Sequence, residues 1–191
     1  MANNTPNAEL TRRQFADIKE HCREIFVKKM HDYGISWRIM RPSSLTDQIY
    51  IKANRIRTIE TTGENRVGED IAPEFAAIVN YGVMALIQCS MGAGEGDDIS
   101  PEKALELYDK EFDATVGLML DKNHDYGEAW RQMRVSSFTD IILTKIHRTK
   151  QIENHGGKTL VSEGVESNYM DMVNYAIFAL IKLKYGEGES D

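Results

Sequence analysis

Apolar residues recur at helical spacing through most of this chain. Phe15, Ile18, Cys22, Ile25, Phe26 and Met30 fall on one face of a helix predicted over about 7–32. Its start signal is "TPNAEL" at Thr5, and "SPEKAL" repeats that signal at Ser100, with Pro101 at the first helical position. Gly34 and Gly127 stand where a helix-terminating glycine belongs. Second helices are predicted from Ser44 and Ser137, read as N-caps, to about Glu60 and Glu153. Asp47 and Asp140 sit in their first turns, favouring the positive helix end. Third helices are predicted over 73–91 and 167–185. In the later one Tyr169, Met172, Val173, Ala176, Ile177 and Leu180 form a wide apolar face. No segment alternates as a strand would, and "ISWRIM" reads as a helical turn. The predicted fold class is all-α.

The pattern occurs twice. Shifted by 93 positions, residues 29–60 match 122–153 at 18 of 32 positions, from Lys29/Lys122 and His31-Asp32-Tyr33-Gly34/His124-Asp125-Tyr126-Gly127 to Glu60/Glu153. After one extra residue, "VNYGVMALI" (79–87) matches "VNYAIFALI" (173–181) at a shift of 94. Two copies are too few for a solenoid, so two tandem helical domains packed as a pseudo-twofold pair are expected. Repeat 1 is read as 1–91, an acidic Gly-rich linker as 92–99, repeat 2 as 100–185, and a loose acidic tail as 186–191. The linker, "GAGEGDDIS" as it runs into the next helix, reads as flexible and solvated.

Composition adds bounds. With 41% apolar and 28% charged residues, the chain has an ordinary globular balance. A net charge of -7 argues against duplex nucleic acid as partner, though not against a small anion held by local cations. No run approaches the roughly 20 apolar residues that span a bilayer, and the start lacks a signal-peptide layout, so a cytoplasmic protein with no membrane partner is expected. Cys22 and Cys89 have no metal-type spacing and read as buried free thiols. A homo-oligomer is compatible with this layout.

Three motifs carry candidate chemistry. "HDYG" suggests the His-Asp pair of HD-type phosphohydrolases, but repeat 2 has no further His ahead of His124, so the helix-ending reading is preferred. On the second helix Ile141, Lys145, Arg148 and Ile152 fall within roughly 60 degrees of one another. Lys145 and Arg148, with their twins Lys52 and Arg55, are thus candidate phosphate-binding cations or snorkelling flanks. On the third helix Asn168, Asp171 and Tyr175 share a face with Asn174 adjoining, and Glu153, Glu163 and Glu166 precede them. Such oxygen ligands across two helices suit Mg²⁺. Glu153, Glu163, Asp171 and Asn174 are therefore the candidate metal set. Repeat 1 has Glu74 for Asn168 and Ala77 for Asp171. Tyr126 and Trp130 are placed beside a nucleotide base.

The layout "K-x-HDYG-x-x-WR-x-MR-x-SS-x-TD", then "K-x-x-R-x-x-x-IE", then "NYMDMVNYA", resembles the nucleotide modification associated domain 1 family, a helical domain of unknown activity. More distantly it is similar to the all-α nucleoside triphosphate pyrophosphatases, which implies Mg²⁺ between helices and attack of activated water on a nucleotide. Here Glu153 has no acidic partner a turn away, and Asn168 and Asn174 replace carboxylates. Two functions are therefore carried: a Mg-dependent pyrophosphohydrolase acting on a nucleotide or other phosphorylated small molecule, and a non-catalytic helical module for nucleotide binding or protein assembly.

Overall fold

The computed structural model describes residues 6–63, 70–161 and 163–186. Six helices run in the order α1 (Pro6–Tyr33), α2 (Pro42–Thr62), α3 (Ala72–Met91), α4 (Pro101–Tyr126), α5 (Val135–Asn154) and α6 (Val165–Tyr185). Short 3₁₀ turns, Ser36–Ile39 and Ala129–Gln132, precede α2 and α5. No strand occurs among the described residues. The all-α class and the duplicated three-helix unit are as expected.

Local chemistry sets most boundaries. The Ser100 hydroxyl accepts from the Lys103 backbone N–H at 3.1 Å and caps α4. Gly34 and Gly127 adopt left-handed conformations (φ 67° and 57°) after α1 and α4, which glycine does without a Cβ clash. The expected caps of the second helices are corrected. Both begin three residues early, behind N-caps Arg41 and Arg134, with no side-chain cap. Pro42 opens α2 because its fixed φ suits the first helical position. Ser44 and Ser137 lie inside the first turn. The Thr5 cap lies outside the described residues.

α3 and α6 form the centre. Both are buried along most of their length, and they approach closely where a Cβ on Gly82 would stand 2.4 Å from Val173 Cγ2. α3 is long and apolar enough to cross a membrane by length and composition, with a mean hydropathy of 1.3. Glu74, Asn80, Gln88 and Ser90 interrupt it, so it is not a continuous apolar run. In the fold, 72% of that stretch is buried among the other helices.

Around this pair, α2 and α5 lie antiparallel and exchange reciprocal contacts. Thr46 Oγ1 donates to Glu153 Oε1 at 3.0 Å, and Thr139 Oγ1 donates to Glu60 Oε1 at 3.0 Å. Lys150 pairs with Asp47 at 2.6 Å, and Arg57 with Asp140 at 3.0 Å. Each bond joins one repeat to the other, and each has its twin, which is the signature of a twofold axis between the halves.

Buried polar groups follow the same symmetry. Gln88 Nε2 donates to the carbonyls of Arg38 (2.8 Å) and Met40 (2.5 Å), and at the twin position Lys182 Nζ donates to the Arg131 carbonyl at 2.6 Å. Asn80 Nδ2 donates to the Cys22 carbonyl and Asn174 Nδ2 to the Thr115 carbonyl, each at 3.1 Å. Arg38, 2% exposed, holds Asp98 at 2.7 Å and the Gly92 carbonyl at 2.8 Å. Gly94 N–H donates to the Arg38 carbonyl at 2.6 Å. The linker is therefore solvated, as expected, but pinned to repeat 1 at Gly92, Gly94 and Asp98. The twin Arg131 holds Thr11 and Gln14 of α1, at 2.7 and 2.8 Å. Each arginine thus grips the start of the other repeat, or the segment leading to it. Cys22 and Cys89 are free thiols, both pushed up to about 12 chiefly by burial.

Two outcomes follow from this packing. Gly82→Ala forces overlap at the α3–α6 crossing and should destabilise by about 1–3 kcal/mol. Val173→Ala in the same chain should restore part of the loss, read from denaturant midpoints of the four proteins in the cycle. The second concerns Glu60, whose carboxyl is raised above the usual range, chiefly by desolvation and further by Asp140, against the Thr139 hydrogen bond. A carboxyl raised on folding binds its proton more tightly in the native state. Its stabilising contribution is complete below the unfolded pKa and is lost as pH climbs through the folded value. Melting temperature should therefore decline as pH rises through and just above the ordinary glutamate range, and Glu60→Gln should flatten that slope.

Candidate functional site

The third-helix carboxylates decide how each repeat treats its cations. In repeat 1, Lys52 and Arg55 lie three residues apart on α2 and so share a face. Both reach Glu74 on α3, which is 5% exposed. Arg55 Nη1 donates to Glu74 Oε1 at 2.6 Å, and Lys52 Nζ lies 3.2 Å from Oε2 without hydrogen-bonding geometry. A buried carboxylate needs such partners, because its desolvation is otherwise costly.

Repeat 2 solves the same problem differently. The residue at the Glu74 position is Asn168, whose side chain donates to the Gly164 carbonyl at 2.9 Å. The acid has moved one helical turn along, to Asp171, which accepts from Lys145 Nζ at 2.5 Å. Arg148 is left out of this exchange. It is exposed and pairs with no carboxylate among the described residues. An open cleft of about 690 Å³ holds Lys145, His147, Arg148 and Gln151 along α5, together with Glu163 and Asn168. The structure thus brings together Lys145, Arg148 and Glu163 of the residues expected from sequence. His147, Gln151 and Asn168 complete the cleft. Spacing along α5 could have found the first two, since they flank the cation stripe.

The expected metal set is not brought together. Glu153 faces repeat 1, where its Oε1 accepts from Thr46 and, at 3.2 Å, from the Tyr169 hydroxyl. Asp171 is engaged by Lys145. Asn174, 2% exposed, spends its amide on the Thr115 carbonyl. Glu163 alone of the four stands exposed at the cleft. Among the described residues no group of three or more His, Cys, Asp or Glu side chains converges as a metal would require. As a set, Glu153, Glu163, Asp171 and Asn174 do not form a Mg²⁺ site. The physical reason is that α5 turns Glu153 toward the partner repeat.

The expected base-pocket pair also separates. Trp130, 5% exposed, is stacked on Phe178 with centroids 4.4 Å apart and planes 12° apart, while the Arg131 guanidinium lies 4.3 Å from its ring. Tyr126, at the end of α4, is 73% exposed. Their twins, Tyr33 and Trp37, line a well-formed cavity in repeat 1 of about 410 Å³. His31 and Asp32 of the first "HDYG" are exposed and 3.4 Å apart, a local contact at the helix end.

Two tandem three-helix units about a pseudo-twofold axis, with their cations differently neutralised, define an internally duplicated all-α protein. A family model describes the same duplication, matching residues 29–89 and 122–183. The chain belongs to the nucleotide modification associated domain 1 family. No curated protein and no solved structure matches it.

One orphaned atom at the predicted metal set yields a test. Asn174 Oδ1 is buried without a hydrogen-bond partner. Its twin Asn80 Oδ1 accepts from the Tyr108 hydroxyl at 2.7 Å, and the residue equivalent to Tyr108 is Phe15. Tyr108→Phe should therefore cost about 1–3 kcal/mol by leaving a second buried acceptor unpaired. Phe15→Tyr should supply the missing donor and raise stability by about 1 kcal/mol. Chemical denaturation of both variants checks the pair.

Proposed function

We propose that this protein binds a nucleotide or related phosphorylated small molecule, with the cleft of repeat 2 receiving the phosphates. The observation that carries the reading is the cation left over in that cleft. Glu74 neutralises Arg55 in repeat 1, whereas Asn168 stands at that position in repeat 2 and Arg148, in a cleft that also holds Glu163, forms no ion pair among the described residues. A guanidinium in an open cleft, flanked by an imidazole and an ammonium, offers bidentate recognition to a phosphate. Asn168 keeps amide acceptor and donor capacity at the cleft wall without adding charge. The overall charge of -7 confines such binding to a small anion at this local feature.

Binding is favoured over metal-assisted hydrolysis, because Glu153, Asp171 and Asn174 are each committed to another partner. A second reading, a protein-assembly module, has in its favour Leu160 and Val161, which stand fully exposed beside the same cleft.

Titration calorimetry with a panel of nucleoside triphosphates should give saturable binding. Arg148→Ala should lower affinity at least tenfold, the equivalent of roughly 1.4 kcal/mol, while Arg55→Ala should change it little. Equal losses would mean two working sites. No binding across the panel would defeat the small-ligand reading. Products that form only with Mg²⁺, followed by mass spectrometry, would restore the pyrophosphohydrolase reading.

A further inference from the structure

The cavity of repeat 1 is separate from the cation cleft and unexplained by it. It lies between the C-terminal end of α1, the first 3₁₀ turn and the N-terminal half of α3. Phe26, Met30, Trp37, Met40 and Met84 make its walls, and Lys29 and Tyr33, both exposed, stand at its mouth. Its volume of about 410 Å³ falls in the range of roughly 300–1,000 Å³ usual for small-molecule sites, and apolar walls with few polar groups are the usual composition.

Comparison of the twins shows which side chains differ around this hollow. Where repeat 1 has Ala76 and Ala77, repeat 2 has Met170 and Asp171. Met170 packs against the core there, and Asp171 pairs with Lys145. The same scaffold thus carries larger side chains in one copy and forgoes their contacts in the other, which is unfavourable unless something else fills the space.

The twins also indicate what fits. In repeat 2 the indole carries a stacked ring, Phe178. In repeat 1 the Phe178 position is Met84, and the one ring near Trp37 is Phe26, at 6.2 Å and tilted by 57°. No ring stacks on Trp37 among the described residues. Three methionines in the lining, Met30, Met40 and Met84, give a polarizable, adaptable wall suited to an aromatic guest. Lys29 at the mouth has no ion-pair partner among the described residues.

We infer that this pocket binds a small molecule built from a planar aromatic ring carrying one anionic group, the ring against Trp37 and the anion at Lys29. A nucleoside monophosphate and an aromatic carboxylate share that chemistry. The site is independent of the repeat 2 cleft, so it stands or falls separately from the proposed phosphate binding.

The test uses the full chain, with adenosine 5′-monophosphate, adenosine and indole-3-acetate as probes in calorimetry and in NMR of the two indole N–H signals. Saturable binding of an anionic probe should shift the Trp37 signal and leave that of Trp130 in place. Ala76→Met, the residue repeat 2 holds there, should abolish it. Lys29→Gln should weaken the anionic probes several-fold and leave adenosine unchanged. Ala77→Asp, at a half-buried position whose nearby Lys52 is already engaged by Glu74, should do likewise by repulsion, and it decides the matter if Ala76→Met fails to fold. Arg148→Ala should have no effect on this site. Monophosphate binding without indole-3-acetate binding assigns a nucleotide, and the reverse assigns an aromatic acid. No saturable binding of any probe, or binding undiminished in the Ala76 and Ala77 variants, overturns the inference.

Discussion

The crossing of α3 and α6 governs this protein. Each of these helices is apolar over most of its circumference, and such a helix must be covered on every side. At Gly82 the backbone of α3 comes close enough to Val173 that even a methyl group has no room. Neither helix can be sheathed by the other two of its own repeat while that contact is made. Each half therefore completes the other's core, and α2, α5, α1 and α4 are arranged around the central pair. The same constraint explains why two copies suffice where an open-ended stack would need more.

Polar residues within this core behave as pairs. Gln88 and Lys182 do one job with different chemistry, each donating to the carbonyl of the arginine in its own repeat. The arginines themselves have diverged in partner and kept their task. Arg38 holds the linker ahead of α4, and Arg131 holds α1. Glu128 shows the local cost. It takes a left-handed conformation at φ 57°, which is uncommon for a residue with a Cβ. Arg131 and Thr11 both bond its carboxylate there. A buried arginine without such partners would be a large penalty, so these contacts tie chain topology to electrostatics.

The helices and the duplication were legible in the sequence because they rest on periodicity and internal identity, both local properties. The loosening of the linker was misjudged, since its composition says nothing of a buried Arg38 reaching Asp98 across sixty residues. The metal set was misjudged for a related reason. Glu153 and Asp171 are close in sequence pattern, but the rotation of α5 that sends Glu153 toward Thr46 is fixed by the other repeat. Lys145 and Arg148 were visible because a stripe on one helix is local. The repeat 1 cavity was encoded in the alignment of the two copies. Ala77 opposite Asp171, together with Ala76 opposite Met170, marks smaller side chains at that place in repeat 1.

That pair of positions connects the two candidate sites. In repeat 1 the acid stands at 74 and a small residue at 77. In repeat 2 a neutral amide stands at 168 and the acid at 171. Moving the carboxylate by one turn keeps a partner for the lysine in both halves, so neither core is left with an uncompensated charge. It has opposite effects on the surroundings. With the acid at the first position, both cations are neutralised and the second position can be hollow. With the acid at the second position, larger side chains, Met170 and Asp171, stand at the equivalent place and the arginine is released. One exchange, neutral in net charge, therefore divides an aromatic-lined cavity and a cationic cleft between two otherwise equivalent repeats.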